Sequence, residues 1–303
     1  MSRLDFDALW DCERPDQTEV VFRQLLPQAE HRHDRSYHLQ LLTQIARTQS
    51  LQRKFAEAHQ TLDGVQGELR AELLVPTIRY LLERGRTFNS SGSPGEALPL
   101  FQQAWDLASR HAEATFFAVD AAHMLAIVSS SFEEQIRWNM TALQVAEAST
   151  DEQARGWCGS LYNNLGWTYH DQGEYERALE YFQKALQWQQ EHGNAREVLI
   201  ARWCLGRTLR SLQRASEALA LQEDLLAEWE KSEEEPDGYI FEEIAECLLV
   251  LGRTAESQPY FAQAYARLHH HQDIWLVAQD PEKERLERLK QLGEASEEAG
   301  GSS

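Results

Sequence analysis

Three residues near the middle of the chain, Asn163, Trp167 and His170, have types and spacing that could bind a ligand. Offsets of four and seven place them on one helix face, yet they lack the apolar character that a packing face requires. An amide can pair with a peptide backbone, and an indole offers an apolar surface with one hydrogen-bond donor. An imidazole could act as a general base, but the sequence offers no identifiable nucleophile as its partner. The three residues therefore favour binding over catalysis.

The same helical spacing recurs along the chain at intervals of about 40 residues. The residues aligned with Trp167 are Arg47, Arg86, Arg207 and Glu246, so three of the five are arginines. This is unexpected in a chain whose 29 basic and 49 acidic residues give a net charge of −20. A guanidinium group offers a planar set of donors that matches a carboxylate or a phosphate. The pattern predicts a groove that binds an anionic group.

The predicted groove residues are these aligned positions together with polar and aromatic neighbours on the same helices. They are Arg47, Arg79, Arg86, Asn89, Asp120, His123, Asn163, Asn164, Trp167, His170, Trp203, Arg207, Arg210, Glu243 and Glu246. The sequence also allows a second interpretation, in which the arginines only hold adjacent repeats together. Their partners would then be Glu83, Asp120, Glu242 or Glu243.

Metal and catalytic sites are less well supported by the sequence. His31 and His33 flank an arginine, and the run 269–271 of histidines precedes Asp273, so metal binding is conceivable there. Consecutive histidines on a helix point in different directions, however, which favours a solvated helix end over a metal site. The four cysteines are too far apart for a CxxC-type site, and three of them lie in apolar helical patterns that predict buried thiols. The sequence has no phosphate-binding glycine loop and no HExxH motif. We therefore expect no cofactor and no enzyme activity.

A repeated pattern of small and aromatic residues predicts the elements that position these side chains. Residues 162–186 combine Gly166, Gly173, Ala178 and Phe182, with Gly173 between two helices. The positions aligned with Ala178 are 58, 97, 218 and 257, and the spacings are 39, 81, 40 and 39 residues. The interval of 81 contains two periods. The missing copy is therefore expected within residues 121–147, with a compressed turn and no glycine.

This pattern resembles the tetratricopeptide repeat family, in the long-period variant that is similar to kinesin light chain. The resemblance covers about residues 18–268. It implies an all-α fold: a right-handed superhelical solenoid of antiparallel helix pairs, with the first helix of each pair lining a concave groove. It implies no particular activity, because the family serves many roles. Each helix pair cannot bury its apolar face alone, so the pairs must stack.

The sequence predicts four segments. Residues 1–15 form an N-terminal leader, and residues 16–268 form the solenoid, with about six hairpins and an N-terminal half repeat. Residues 269–293 form a C-terminal capping segment, in which Asp280 caps a helix and Pro281 takes its first position. Residues 294–303 are expected to be disordered.

The predicted function is that of a non-catalytic scaffold or adaptor that binds an acidic or carboxylate-bearing peptide of a partner protein. The alternative is a sensor that binds a small anionic signal in the same groove, and an enzyme with an unrecognised site comes third. The strong negative charge argues against nucleic-acid and membrane-surface partners. Without a signal-peptide pattern or an apolar run of spanning length, the sequence favours a cytoplasmic location.

Overall fold

The computed structural model describes residues 6–31, 34–231, 235–270 and 280–294 of the 303 in the chain. Its regular structure is helical, with short 3-10 turns at Asp7–Leu9 and Ala112–Ala114. The α-helices are α1 (Pro15–His31), α2 (Arg35–Leu51), α3 (Phe55–Glu68), α4 (Leu74–Ser90), α5 (Pro94–Ala108), α6 (Thr115–Val128), α7 (Phe132–Ala148), α8 (Glu152–Arg155), α9 (Cys158–Asp171), α10 (Tyr175–His192), α11 (Ala195–Ser211), α12 (Ala215–Trp229), α13 (Gly238–Val250), α14 (Thr254–His270) and α15 (Asp280–Glu294).

Several expectations lie outside the described residues. They concern His33, the histidine at position 271, Asp273 and the tail from residue 295 onward. The side chains of His31, Asp280 and Pro281 are likewise outside the described set, and the predicted cap of α15 lies there too. The domain boundaries stay a prediction.

The chain divides into two compact units. Unit 1 comprises residues 1–161 and unit 2 residues 162–303. Unit 1 contains the antiparallel pairs α2/α3, α4/α5 and α6/α7. Unit 2 contains most of α9 with α10, then α11/α12 and α13/α14, and α15 packs on α14. The prediction of an all-α fold built from stacked antiparallel helix pairs is confirmed.

Most helix pairs are joined by three residues, one of which has left-handed backbone geometry. Gly92, Gly173 and Gly252 have φ values of 86°, 77° and 75°, and Arg53 and Gln213 take the aligned positions with φ of 61° and 62°. Glycine adopts this geometry at little cost, whereas residues with a Cβ atom do so rarely. The glycine predicted to separate the helices of residues 162–186 therefore has a specific role in the turn.

Close helix contact within a pair depends on a second glycine. A Cβ atom added at Gly85 would lie 2.5 Å from the ring of Phe101, and one at Gly166 would lie 2.5 Å from the ring of Phe182. Both rings are fully buried. The small residue on the first helix thus accommodates the aromatic side chain of the second, as the repeated pattern predicts.

The pair α6/α7 is the copy that the repeat spacing left unassigned, and its turn is not compressed. Three residues connect these helices, as in the other pairs, so this expectation was wrong. The turn instead avoids left-handed geometry: Ser129 and Ser131 are extended, with ψ of 135° and 146°. The Ser131 hydroxyl accepts a hydrogen bond from the Glu134 amide at 3.2 Å. A side-chain cap therefore forms the turn without a glycine.

The core of each unit is formed by the facing helices of its pairs. In unit 2 it extends to α15, whose Leu286 and Leu289 are buried with Phe261 and Ile244. In unit 1, Phe22 of α1 packs with Phe6 and Tyr37 in a separate cluster at the N-terminal end. None of the helices in the described ranges is long and apolar enough to cross a membrane.

Candidate functional site

In unit 1, the predicted arginines lie on α2 and α4 and reach acids on the next first helix. Arg47 Nη1 lies 3.4 Å from Glu83 Oε1, and Arg86 Nη1 lies 2.8 Å from the same oxygen. Arg86 Nη2 also contacts the carboxylate of Asp120 on α6. The acid is 36 residues after Arg47 and 34 after Arg86, so the same contact is repeated between successive pairs.

Both charges of the Arg86–Asp120 pair are buried. Burial by itself would raise the pKa of Asp120, but the charge and hydrogen bond of Arg86 outweigh it and hold this pKa below its usual value. Burial likewise opposes the charge of Arg86, and Asp120 and Glu83 more than compensate, so the pKa of Arg86 is raised. The pair therefore remains ionised across the physiological pH range.

A cavity of about 420 Å³ lies against these charges, and we call it the central cavity. Arg47, Arg79 and Arg86 line it together with Glu83 and Asp120 on the helices and Asp7 from the N-terminal segment. Aromatic side chains of Trp10, Phe116, Phe117 and Trp157 supply much of the rest of its wall. The repeat helices thus contribute three positive and two negative charges to one cavity. This volume is typical of a small-ligand or side-chain pocket.

The N-terminal segment enters this site, although the sequence predicted only a leader there. Asp7 contacts Arg79 of α4, a side chain that is only 10% exposed. Trp10 donates its indole N–H to Gln44 Oε1 at 3.1 Å, and the guanidinium of Arg47 lies 5.5 Å from the Trp10 ring centre. The alternation of acids and aromatic residues from Asp5 to Asp11 was the available signal, because these types complement an arginine-lined cavity.

The remaining predicted residues of unit 1 lie at the edge of the site or outside it. His123 is half-buried on α6, with its ring centre 5.1 Å from that of Trp157. Burial lowers the pKa of His123, which favours a neutral imidazole at physiological pH. Asn89 lies half-buried on the last turn of α4 and is not among the residues that line the central cavity.

In unit 2, Asn163, Trp167 and His170 contact the next helix pair. The Cys204 thiol lies 3.5 Å from Asn163 Oδ1, and His170 Nε2 lies 2.9 Å from the Ser211 hydroxyl. The Trp167 ring packs against Phe182 and Trp203, with ring centres 5.2 and 5.9 Å apart. Asn164 is half-buried on the same helix. The polar stripe of α9 therefore joins adjacent repeats.

The same is true of the predicted residues on α11. Trp203 donates its indole N–H to the Tyr239 carbonyl at 3.1 Å. Arg207 Nη1 and Arg210 Nη2 lie 3.2 and 3.1 Å from Glu243 Oε2 on α13. The Glu243 side chain is only 2% exposed. Burial raises the pKa of Glu243 to about 7, against the opposing effect of Arg210, and nearby Glu242 and Glu246 raise it further.

At the C-terminal end, the polarity of the ion pairs is reversed. Glu242 and Glu246 lie on the repeat helix α13, and their partners Arg285 and Arg288 lie on α15. The structure thus contains ion pairs to Glu83, Asp120 and Glu243, as the second interpretation of the arginines expected. Ligand binding by the predicted groove residues stays a prediction.

The described residues give little basis for metal or thiol chemistry. Within those ranges, no three or more His, Cys, Asp or Glu residues are arranged to hold a metal ion. Cys158, Cys204 and Cys247 are buried as predicted, whereas Cys12 is exposed. Burial raises the pKa values of Cys204 and Cys247 to about 12, so both remain thiols at neutral pH.

The fold and the inter-repeat contacts define a helical-repeat protein, and the comparisons identify the repeat. The sequence model of the tetratricopeptide repeat family matches residues 157–231. No curated protein matches the sequence. Residues 157–231 are therefore similar to tetratricopeptide repeats, and the helix pairs of the other described residues resemble them in fold.

Solved structures agree with this fold. The apo form of RapI superposes with a TM-score of 0.66 at 15% identity, covering 91% of this chain and 80% of that one. BtubC (BKLC) from P. vanneervenii gives 0.58 at 17% identity, with 77% and 96% covered. Repeats of a putative kinesin light chain from Podosopora anserina give 0.54 at 18% identity, with 64% and 96% covered. At these identities the likeness shows the fold alone.

Proposed function

We propose that the chain is a non-catalytic scaffold that binds an acidic segment of a partner protein at the central cavity of unit 1. Tetratricopeptide repeat proteins serve generally as protein-interaction scaffolds, and none of the chemistry described above requires an enzyme. A cytoplasmic location is part of this proposal, because the thiols and the sequence pattern favour a reducing compartment.

The observation that carries the proposal is the charge of the cavity. Arg47, Arg79 and Arg86 face only Glu83 and Asp120 from the repeat helices, which leaves one positive charge without an acid from the repeats. In unit 2, by contrast, the stripe from Asn163 to Arg210 is engaged in contacts between repeats. Of the predicted groove residues, we therefore propose Arg47, Arg79 and Arg86 of unit 1 as the ones that bind the partner.

A peptide fits this cavity better than a simple anion does. The wall combines the guanidinium groups with the aromatic side chains of Phe116, Phe117 and Trp157, so it can take an apolar side chain beside a carboxylate. Within the described residues, the buried atoms Arg79 Nε and Glu83 Oε2 have no hydrogen-bond partner. The first is a hydrogen-bond donor and the second is an acceptor, and a peptide unit carries one group that pairs with each kind.

A peptide array tests this proposal. The array would present matched ten-residue peptides with and without acidic residues, and binding would be compared between the wild type and the Arg47→Gln variant. We expect acidic peptides to be preferred, with affinity reduced about tenfold in Arg47→Gln, since a charge-assisted hydrogen bond contributes about 1.5–3 kcal/mol before ordering costs. Arg177→Gln is the matched control, because this arginine is 61% exposed in unit 2.

The small-anion alternative rests on the cavity volume, which would also suit a compact ligand. Thermal-shift measurements with phosphate and citrate distinguish the small-anion sensor from the peptide-binding scaffold. A rise in melting temperature that depends on Arg47, without any peptide preference, would favour the sensor. Peptide binding that is equal in the wild type and Arg47→Gln would contradict the proposed site.

A further inference from the structure

The segment Phe6–Trp10 of this chain lies in the site proposed for a partner peptide. Its only regular structure is the single 3-10 turn Asp7–Leu9, closed by the Leu9 amide, which donates to the Phe6 carbonyl at 3.0 Å. The segment is bound through side chains, as a short peptide ligand would be. It passes beside two cavities: Asp7 and Trp10 line the central cavity, and Phe6 and Asp7 line a neighbouring one of about 580 Å³.

Two aromatic anchors hold the segment at its ends. The Phe6 ring meets the ring of Phe22 at 6.2 Å and that of Tyr37 at 5.2 Å, both edge-to-face. At the other end, the Trp10 ring meets the ring of Phe22 at 5.3 Å and donates its N–H to Gln44. Aromatic side chains in such positions dominate the binding energy of peptide interfaces.

The acid between the anchors supplies the missing charge. Asp7 contacts Arg79, whose guanidinium also lies 5.3 Å from the Phe6 ring centre and 5.0 Å from that of Phe117. With Asp7 included, the cavity has three arginines and three acids, so its charges balance. The segment thus provides the carboxylate that balances the charge of the cavity, together with the aromatic side chain of Trp10.

The contact is also exchangeable. The side chain of Asp7 is 40% exposed, so water can solvate this carboxylate as it leaves Arg79, whose own side chain is only 10% exposed and needs a replacement acid. Beyond the anchors, the segment is tied to α1 at Asp11, whose carbonyl accepts a hydrogen bond from the Thr18 hydroxyl at 3.0 Å. This tether would keep a displaced segment close to the site.

We propose that residues 6–10 are an internal occupant of the peptide site and that the partner peptide shares their chemistry. This inference rests on the proposed function. The partner segment carries a carboxylate directly after one aromatic residue and three residues before a tryptophan. It competes with an internal segment at an effective concentration in the millimolar range, so access to the site is restricted until the partner binds strongly or is held nearby.

The experiment uses the full chain and a fluorescein-labelled peptide that copies residues 4–13, with serine in place of Cys12. Fluorescence anisotropy gives its affinity for the wild type and for the Asp7→Asn/Trp10→Ala variant. Phe6 is retained because it is buried with Phe22 and Tyr37. We expect the variant to bind about tenfold more tightly or better, because its own segment no longer competes.

Three controls define the site. Asp16→Asn removes an exposed acid of α1 and is expected to leave the affinity at the wild-type value. The labelled peptide with asparagine at the position of Asp7 is expected to bind weakly to every variant. Adding Arg79→Gln to the double variant is expected to abolish the increase in affinity for the labelled peptide. The single variant Asp7→Asn, at an exposed side chain, replaces the double variant should circular dichroism show that the latter is unfolded.

The outcomes separate the two proposals. If Asp7→Asn and Asp7→Asn/Trp10→Ala are both folded and bind the peptide no better than the wild type does, the proposal of an internal occupant is refuted. In that case, acidic peptides from the array that still bind through Arg47 would leave the proposed function standing. If neither the wild type nor the variants bind any acidic peptide, both proposals fail. If the affinity for the labelled peptide is still increased when Arg79→Gln is added, the peptide binds elsewhere and the inference is refuted.

Discussion

The two units contain the same arginine–acid contact between successive first helices, but the acids behave differently. Asp120 in unit 1 has a pKa below its usual value, whereas the pKa of Glu243 in unit 2 is raised to about 7. Both side chains are buried, and each meets arginine guanidinium groups. The difference comes from burial and from neighbouring charges: Arg47 and His123 support the charge of Asp120, while Glu242 and Glu246 oppose that of Glu243.

The comparison shows that the spacing of charges determines their partners but not their protonation. An arginine aligned on one repeat reaches an acid about 36 residues later in both units. Whether that acid stays ionised depends on how much solvent it loses and on the net charge around it. Unit 1 therefore has a stably charged cluster, and unit 2 has a cluster that can take up a proton near neutral pH.

The largest expected effect comes from neutralising the two acids in turn. Asp120→Asn should lower the free energy of unfolding by about 2–3 kcal/mol at pH 7, because Arg86 loses a charged partner in a buried site. Glu243→Gln should cost only about 1 kcal/mol, because Glu243 is close to half protonated at that pH. Urea unfolding followed by circular dichroism measures both. Equal losses for the two variants would mean that Glu243 is as fully ionised as Asp120.

The pH dependence of stability should differ between the units. The pKa of Glu243 is higher in the folded chain than its usual value of 4.5, so the folded state holds the proton more tightly. Its contribution is fully present below pH 4.5 and is lost as the pH rises through 7. The contribution of Asp120 has the opposite sign: it is present above pH 3.8 and is lost as the pH falls below that value.

Melting curves from pH 4.5 to 7.5 test whether the contribution of Glu243 to stability decreases as the pH rises. The difference between the wild type and Glu243→Gln should shift in favour of the wild type as the pH falls, by about 1.4 kcal/mol for each unit of pKa difference. Histidines such as His123 and His170, whose pKa values are lowered by burial, are common to both proteins, so their titration cancels in the difference. A difference that does not change with pH would contradict the raised pKa.

A smaller effect tests a contact that is the same in both units. Gly85→Ala in unit 1 and Gly166→Ala in unit 2 each drive a Cβ atom into a phenylalanine ring at 2.5 Å, so each should cost about 1–3 kcal/mol. Gly64→Ala in α3 is the matched control, because a Cβ atom added there would meet nothing within 4 Å. That variant should be neutral or stabilised by up to about 1 kcal/mol through helix propensity. Unequal losses at Gly85 and Gly166 would show that the two units differ in more than charge.

The helix pairs could be predicted from the sequence because their determinants are local and repeated. Gly166 and Phe182 are 16 residues apart, and so are Gly85 and Phe101, which fixes the register of the two helices in each pair. The pair α6/α7 escaped this pattern because Ser131 forms its turn by capping. The residue of α7 that corresponds to Phe182, counted from the helix start, is the buried Asn139.

The site was less predictable because it depends on contacts without a repeat. The sequence identified the arginines and their possible acidic partners, yet it could not choose between ligand binding and ion pairing. That choice depends on burial and on the cavity, which only the packed structure shows. The contact of Asp7 with Arg79 joins residues 72 positions apart and has no counterpart elsewhere in the described repeats, so periodicity carries no information about it.

The smallest expected effects concern the two ends, where the polarity of the contacts is reversed. At the N-terminal end the repeat supplies Arg79 and the terminal segment supplies Asp7, while at the C-terminal end the repeat supplies Glu246 and α15 supplies Arg288. Asp7 is 40% exposed and Arg288 is 48% exposed, whereas their partners Arg79 and Glu246 are only 10% and 13% exposed, so Asp7→Asn and Arg288→Ala should each cost about 1 kcal/mol. Thermal unfolding would therefore hardly distinguish the variants. Peptide affinity should distinguish them, because only Asp7 lies in a cavity to which the repeat helices contribute more arginines than acids. If Arg288→Ala increased the affinity for the labelled peptide as much as Asp7→Asn does, the two ends would be equivalent caps and unit 1 would have no special role in binding.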